Sequence, residues 1–136
     1  MIDLLFVYGT LRAGGRNDIA RIQPAARYQG PARVRGLLYD LGAYPALLLD
    51  TDGGWVAGEL YQVPDHAWPE LDALEEPVTA TRPDGEYFKI TAAVDLPDGS
   101  AQEAWVYTAN PAVLTLDRLI AHGDWMRHAH GAGNAG

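Results

Sequence analysis

Apolar and polar positions fall into short blocks whose period is closer to two than to 3.6, and turn-forming residues separate them. The pattern predicts strands over Leu4 to Tyr8, Ala32 to Asp40, Ala46 to Leu49, Val56 to Val63, Tyr87 to Leu96 and Ala101 to Thr108. The breaks are Asp50-Thr51-Asp52-Gly53-Gly54, Pro83-Asp84-Gly85 and Pro97-Asp98-Gly99, and the last of these reads as a hairpin connection. The first block has no alternation: Leu4-Leu5-Phe6-Val7-Tyr8 is continuously apolar, as suits a strand covered on both faces. Helical pieces are expected at Asn17 to Ile22, around Pro69 to Glu76 and from Pro111 to Ile120. Many short strands with few helices predict an α+β fold, a small barrel-like sheet rather than a parallel βαβ architecture. No internal repeat is present. Residues 1–127 form the expected single domain, and 128–136, rich in Gly and Ala, the expected flexible tail.

Composition narrows the function classes. The 136 residues are sufficient for one core without disulfides or metal, and the absence of Cys removes thiolate nucleophiles and cysteine metal sites. The formal net charge of −8 disfavours nucleic acid and anionic membranes as partners. No apolar run approaches membrane-spanning length, and no basic segment precedes a cleavable apolar stretch, so a cytoplasmic soluble protein is expected. Six of the ten basic residues, Arg12, Arg16, Arg21, Arg27, Arg33 and Arg35, fall in the first 35 positions. They read either as a solvated face or, for Arg12 first, as an attraction for an anionic substrate.

Candidate chemistry sits where the first strand stops. Tyr8-Gly9-Thr10-Leu11 is a glycine turn after a buried strand, a place where backbone N–H groups can hold an anion or an oxyanion. A second candidate lies in Trp68-Pro69-Glu70-Leu71-Asp72-Ala73-Leu74-Glu75-Glu76-Pro77. Pro69 suits a first helical turn and Pro77 disfavours continuation. At about 100° per residue, Trp68, Leu71 and Leu74 make one apolar arc with Glu75 inside it, while Asp72 and Glu76 fall outside. An inward carboxylate is costly unless paired or functional. A helix misphased by one residue, or a structural acid bonded to backbone amides, explains Glu75 equally on geometry alone. Gly9-Thr10 and Gly14-Gly15 lack the spacing and ending of a phosphate loop, and His128 and His130 read as solvated rather than metal-binding.

The string Phe6-Val7-Tyr8-Gly9-Thr10-Leu11-Arg12 resembles the opening signature of the gamma-glutamylcyclotransferase-like (AIG2-like) family. The resemblance continues through Val34 to Pro45, Val56 to Tyr61, Leu71 to Glu75, Ala104 to Tyr107 and His122 to Trp125. It implies a small mixed barrel and a loop of Tyr8, Gly9, Thr10 and Leu11 that cradles a gamma-glutamyl substrate. It also implies Glu75 as the catalytic base and Tyr107 as a residue orienting the substrate or Glu75. The implied activity is cofactor-independent and metal-free release of 5-oxoproline from a small gamma-glutamyl amine or amino acid. A noncatalytic binding module on the same fold is the alternative. The chain departs from the family pattern after Glu75, where Glu76, a longer stretch from Pro77 to Glu86 and Tyr87-Phe88-Lys89 stand in place of a Gly and a Tyr-x-Arg.

Overall fold

The computed structural model describes residues 3–12, 19, 25–75 and 85–129, and the side chains of these except 74 and 75. Six strands are present: β1 (Leu4–Val7), β2 (Arg27–Asp40), β3 (Pro45–Leu49), β4 (Gly54–Gln62), β5 (Tyr87–Asp95) and β6 (Ala101–Ala109). A 3₁₀ turn at Asp65–Ala67 leads into the helix α1 (Trp68–Glu75).

The strand order is β3-β2-β4-β1-β6-β5, and a further pairing of β2 with β5 at Arg33 and Asp95 closes five of the strands into a barrel. The barrel is mixed because β1 runs parallel to β6, with Leu5 opposite Trp105, while the other pairs are antiparallel. β2 changes neighbour along its length. Residues from Arg27 to Gly36 pair with β4, and those from Gly36 to Asp40 pair with β3, which lies outside the closed ring. Its middle alternates as a one-sided strand must: Ala32, Val34 and Leu38 are buried, while Arg33 and Arg35 are exposed. The two arginines stack on Trp55, 3.8 and 4.0 Å from its ring centroid.

β1 is buried on both faces, as its unbroken apolar run requires. Phe6 and Tyr8 join one apolar cluster with Val34, Leu60 and Val106, and Leu5 and Val7 join another with Tyr61, Leu71 and Tyr107. Burying such side chains contributes on the order of 25 cal/mol per Å² of apolar surface, so β1 is the strand whose removal would cost the core most per residue.

The six predicted strands occur within a few residues of their expected limits, and Asp98-Gly99 turns the β5–β6 hairpin, with the Gly99 amide donating to the Leu96 carbonyl. The first expected helix lies outside the described residues except for Ile19, which is helical and fully buried. The second is α1. The third does not form. Asn110 instead organises a turn, its carbonyl accepting from the Val113 and Leu114 amides. The chain then runs alongside the end of β2: Asp40 N–H donates to Arg118 O, Ile120 N–H donates to Leu38 O, and Leu119 bridges Tyr39. Those strand-type bonds are available only because β2 projects beyond β4, and they replace the helical ones.

The first two residues of the expected tail are described. His128 and Ala129 still belong to a helical turn at 125–129, and 130–136 lie outside the described residues. His128 is not solvated as anticipated: its Nε2 is 2.8 Å from Asp40 Oδ2, and its ring lies 5.7 Å from that of Trp125. Burial pushes the Asp40 carboxyl up, but hydrogen bonds from His128, the Gly42 amide and Arg118 outweigh it and hold the group below its ordinary value. No helix among the described residues is long and apolar enough to cross a membrane.

Candidate active site

Strand directions decide which loops meet. β6 is parallel to β1, and β5 is antiparallel to β6 with Tyr87 opposite Ala109, so the end of β1, the end of β6 and the start of β5 share one end of the barrel. The turn after β1 emerges there. It is closed by the Arg12 amide donating to the Gly9 carbonyl at 3.0 Å, and the Leu11 carbonyl accepts from the Ile19 amide.

Each predicted loop residue has a definite place. The Tyr8 hydroxyl donates to the carbonyl oxygen of Tyr107, so this side chain fastens β1 to β6. Gly9 is buried, and a Cβ added to it would stand 2.6 Å from Cγ and 2.8 Å from Cδ of Pro45. The requirement for glycine is therefore a close approach of the loop to the first residue of β3; Gly9 is not among the glycines with positive φ. Thr10 is half-buried. The Leu11 side chain is buried among Val7, Ile19 and Leu71, which leaves its backbone as the part that can face a ligand.

Arg12 does not act as the open anion lure that the sequence suggested for it. Its Nε donates to Glu59 Oε2 at 2.7 Å and its Nη1 to Asp124 Oδ1 at 2.8 Å. Burial alone would lower the guanidinium pKa, but the two carboxylates more than compensate and hold it above its ordinary value. Asp124 is in turn held below its ordinary value: burial raises it, and bonds from the Arg127 amide and Arg12 reverse the effect. The same Asp124 oxygen caps the helical turn at 125–129 by accepting from the Arg127 amide. Gly123, at φ +72°, brings this segment so close that an added Cβ would stand 2.0 Å from the Trp55 carbonyl oxygen.

Glu75 is the final residue of α1, and its side chain lies outside the described ones. Leu71 is fully buried, as the apolar arc requires. Asp72, which that arc placed outside, is the carboxylate seen to reach the barrel: Oδ1 accepts from the Tyr107 hydroxyl at 2.6 Å, and Lys89 Nζ lies 3.2 Å from Oδ1 and 3.3 Å from Oδ2. Tyr107 thus holds Asp72. Lys89 also lies 4.1 Å from the ring centroid of Trp68 and 5.2 Å from that of Trp105. Periodicity could not find this group, since Asp72 and Lys89 belong to different elements; their meeting depends on the register that sets Lys89 opposite Tyr107.

Residues 76–84 lie outside the described ones; Gly85 and Glu86, which follow them, are stitched in place. Glu86 accepts from the Tyr44 hydroxyl at 2.8 Å, and Asn110 Nδ2 donates to the Gly85 carbonyl at 2.8 Å. Beside Tyr44 a groove of about 430 Å³ runs between the end of β2 and residues 113–118, with Asp40, Asp117 and Arg118 along its walls. No cluster of three or more metal-ligating side chains occurs among the described residues.

A closed five-stranded mixed barrel with a glycine turn at the end of its first strand and the short acidic helix α1 defines the class. The family described as gamma-glutamyl cyclotransferase, AIG2-like, matches residues 5–127, and the chain belongs to that family. A putative gamma-glutamylcyclotransferase of Vibrio cholerae serotype O1 is 37% identical over 126 residues, which cover 92% of this chain and 96% of that protein. The gamma-L-glutamyl-butirosin B gamma-glutamyl cyclotransferase of Niallia circulans is 35% identical over 132 residues, 93% of this chain and 80% of the relative. The crystal structure of YkqA from Bacillus subtilis superposes with a TM-score of 0.77 at 26% identity, covering 98% of this chain and 43% of that longer one.

Proposed function

We propose that this protein is a gamma-glutamyl cyclotransferase that releases 5-oxoproline and a free amine or amino acid. The substrate supplies its own nucleophile. Its α-amino nitrogen attacks the γ-carbonyl carbon, a C–N bond closes the five-membered ring, and the original γ-amide C–N bond breaks. In this reading Glu75 takes a proton from the substrate α-ammonium group and delivers it to the departing nitrogen; the second proton, shed by the attacking nitrogen as it becomes the ring amide, leaves on the released amine as its ammonium, so no proton is gained or lost overall. The backbone of Tyr8, Gly9, Thr10 and Leu11 receives the α-carboxylate or the developing oxyanion, and a fixed loop favours the cyclising conformer.

The observation that carries the proposal is the family match across residues 5–127, with a glutamate at the end of α1. Rigid support for the loop adds to it, because oriented donors help only if they do not have to reorganise. The chemistry asks for no metal or organic cofactor.

The test is incubation with a panel of gamma-glutamyl amines and amino acids, with chromatographic detection of 5-oxoproline, in the presence and absence of chelator. Turnover unchanged by chelator is expected. N-acetylation of the glutamyl α-nitrogen of an accepted substrate should stop the reaction, since an amide nitrogen is a poor nucleophile. Cleavage of the acetylated substrate to N-acetylglutamate at a comparable rate would make water the nucleophile and the protein an amidase. Stoichiometric binding of gamma-glutamyl compounds without turnover would favour a noncatalytic binding module.

A further inference from the structure

We infer that Lys89, Asp72 and Tyr107 form a clasp that positions α1, and Glu75 with it, against the loop after β1; the inference rests on the function proposed above. The bonds form a continuous path. The Tyr8 hydroxyl at the end of β1 donates to the Tyr107 carbonyl, the Tyr107 hydroxyl donates to Asp72 on α1, and Lys89 of β5 bridges both oxygens of the same carboxylate. One path thus joins the proposed cradle to the helix bearing the proposed base.

The helix needs such a device. It has eight residues, well below the length at which an isolated helix holds in water, so its placement comes from tertiary contacts. Leu71 is fully buried and Trp68 packs against the same apolar cluster, but apolar contacts fix rotation about the helix axis less sharply than a directional bond does. Asp72 supplies a second, directional contact on a neighbouring face. Glu75 follows Asp72 by three residues, about 60° around the axis and about 4.5 Å along it, so an error in the rotation set at Asp72 carries over to the backbone of Glu75. A misplacement of about 1 Å at a reacting group can cost on the order of 10² in rate.

Lys89 is more than a counter-ion on the surface. Its ammonium group lies over Trp68, the first residue of α1, and near Trp105 of β6, while its strand neighbour is Tyr107. Its charge therefore touches the helix twice, through the indole of Trp68 and the carboxylate of Asp72, and both contacts resist the same rotation. Lys89 and Tyr107 act through Asp72 and are positioning residues.

The experiment compares Lys89→Met, Tyr107→Phe and Lys89→Arg in the full chain, using an accepted gamma-glutamyl substrate and hydrogen exchange of the α1 amides. Lys89→Met and Tyr107→Phe should each lower kcat by about 10- to 100-fold with KM changed less than about threefold, and both should speed exchange across residues 68–75. Lys89→Arg keeps the charge and the stacking on the indoles and should recover most of kcat and of the protection. A rise in KM at unchanged kcat would make Lys89 or Tyr107 a substrate contact and overturn the inference, as would unchanged exchange of α1. If Tyr107→Phe fails to fold, Lys89→Met, altered at a partly exposed side chain, carries the test. A wild-type protein inert toward the whole panel overturns the proposed function, and the exchange measurement then decides on the clasp separately.

Discussion

The loop after β1 and the helix α1 serve the same end of the barrel but are held by different forces. On the loop side, Arg12 is largely buried and spans two carboxylates at 2.7 and 2.8 Å, joining β4 to the segment that follows Gly123. On the helix side, Lys89 meets Asp72 at 3.2 Å, with side-chain exposures of 22% and 34%, and leans on two indoles. Short charge-assisted bonds inside a packed region are strong and costly to break singly, whereas longer, partly exposed ion pairs are worth less to global stability. The loop's placement is therefore part of folding, and the helix can be disturbed while the barrel stands. The proposed site then has a fixed wall and an adjustable one.

The largest effect should fall on the adjustable wall and on turnover alone. Glu75→Gln should reduce kcat by about 10² to 10⁴ with the melting temperature unchanged, since removing the proposed general base leaves the shape intact. Glu76→Gln is the control and should have a much smaller effect; the opposite ranking, read from the same assay, would move the base by one residue.

On the fixed wall the effect should be on stability. Arg12→Met removes the shared partner of Glu59 and Asp124 and should cost about 2–3 kcal/mol in urea unfolding, below the range for a fully buried pair because Asp124 is 31% exposed. A loss below about 1 kcal/mol would erase the contrast between the two walls. Gly9→Ala comes next, at about 1–3 kcal/mol, because its Cβ would overlap Pro45. Pro45→Ala in the same chain should relieve part of that cost, and strictly additive losses would locate the strain elsewhere.

The smallest effect is a pH dependence. Asp124 has a folded pKa below its unfolded value of about 3.9, so its contribution is fully present above the unfolded value and is lost as pH falls through the folded one. Asn also caps helices, so Asp124→Asn isolates the ionic part. The stability gap between wild type and Asp124→Asn should be constant above about pH 5 and narrow below about pH 4. A gap that persists unchanged to pH 2 would mean that the charge contributes nothing.

Local pattern was enough for most of the scaffold. Alternation along β2 and the Asp98-Gly99 turn are signals carried by neighbouring residues, and the strands stand where those signals place them. The loop and Glu75 were singled out by motif, and Leu71 was rightly placed inward. What failed had long-range causes. Tyr28 to Pro31 carry no strand pattern, yet they extend β2 because β4 offers a partner across a bulge. The segment from Pro111 to Ile120 was expected to be helical, but it turns at Asn110 and then pairs through residues 118–120 with β2, whose end has free pairing positions beyond β4.

By itself, then, the sequence determined the strand-rich architecture, the family and the two segments in which chemistry is expected, because composition, period and motif are properties of contiguous residues. Tertiary structure alone decided which charges meet. Arg12 is 47 residues from Glu59 and 112 from Asp124, and Asp72 is 17 from Lys89 and 35 from Tyr107. Nothing local distinguishes these side chains from solvated ones. Barrel closure and strand register bring them together, and the cost of leaving a charge buried without a partner then makes each pairing specific.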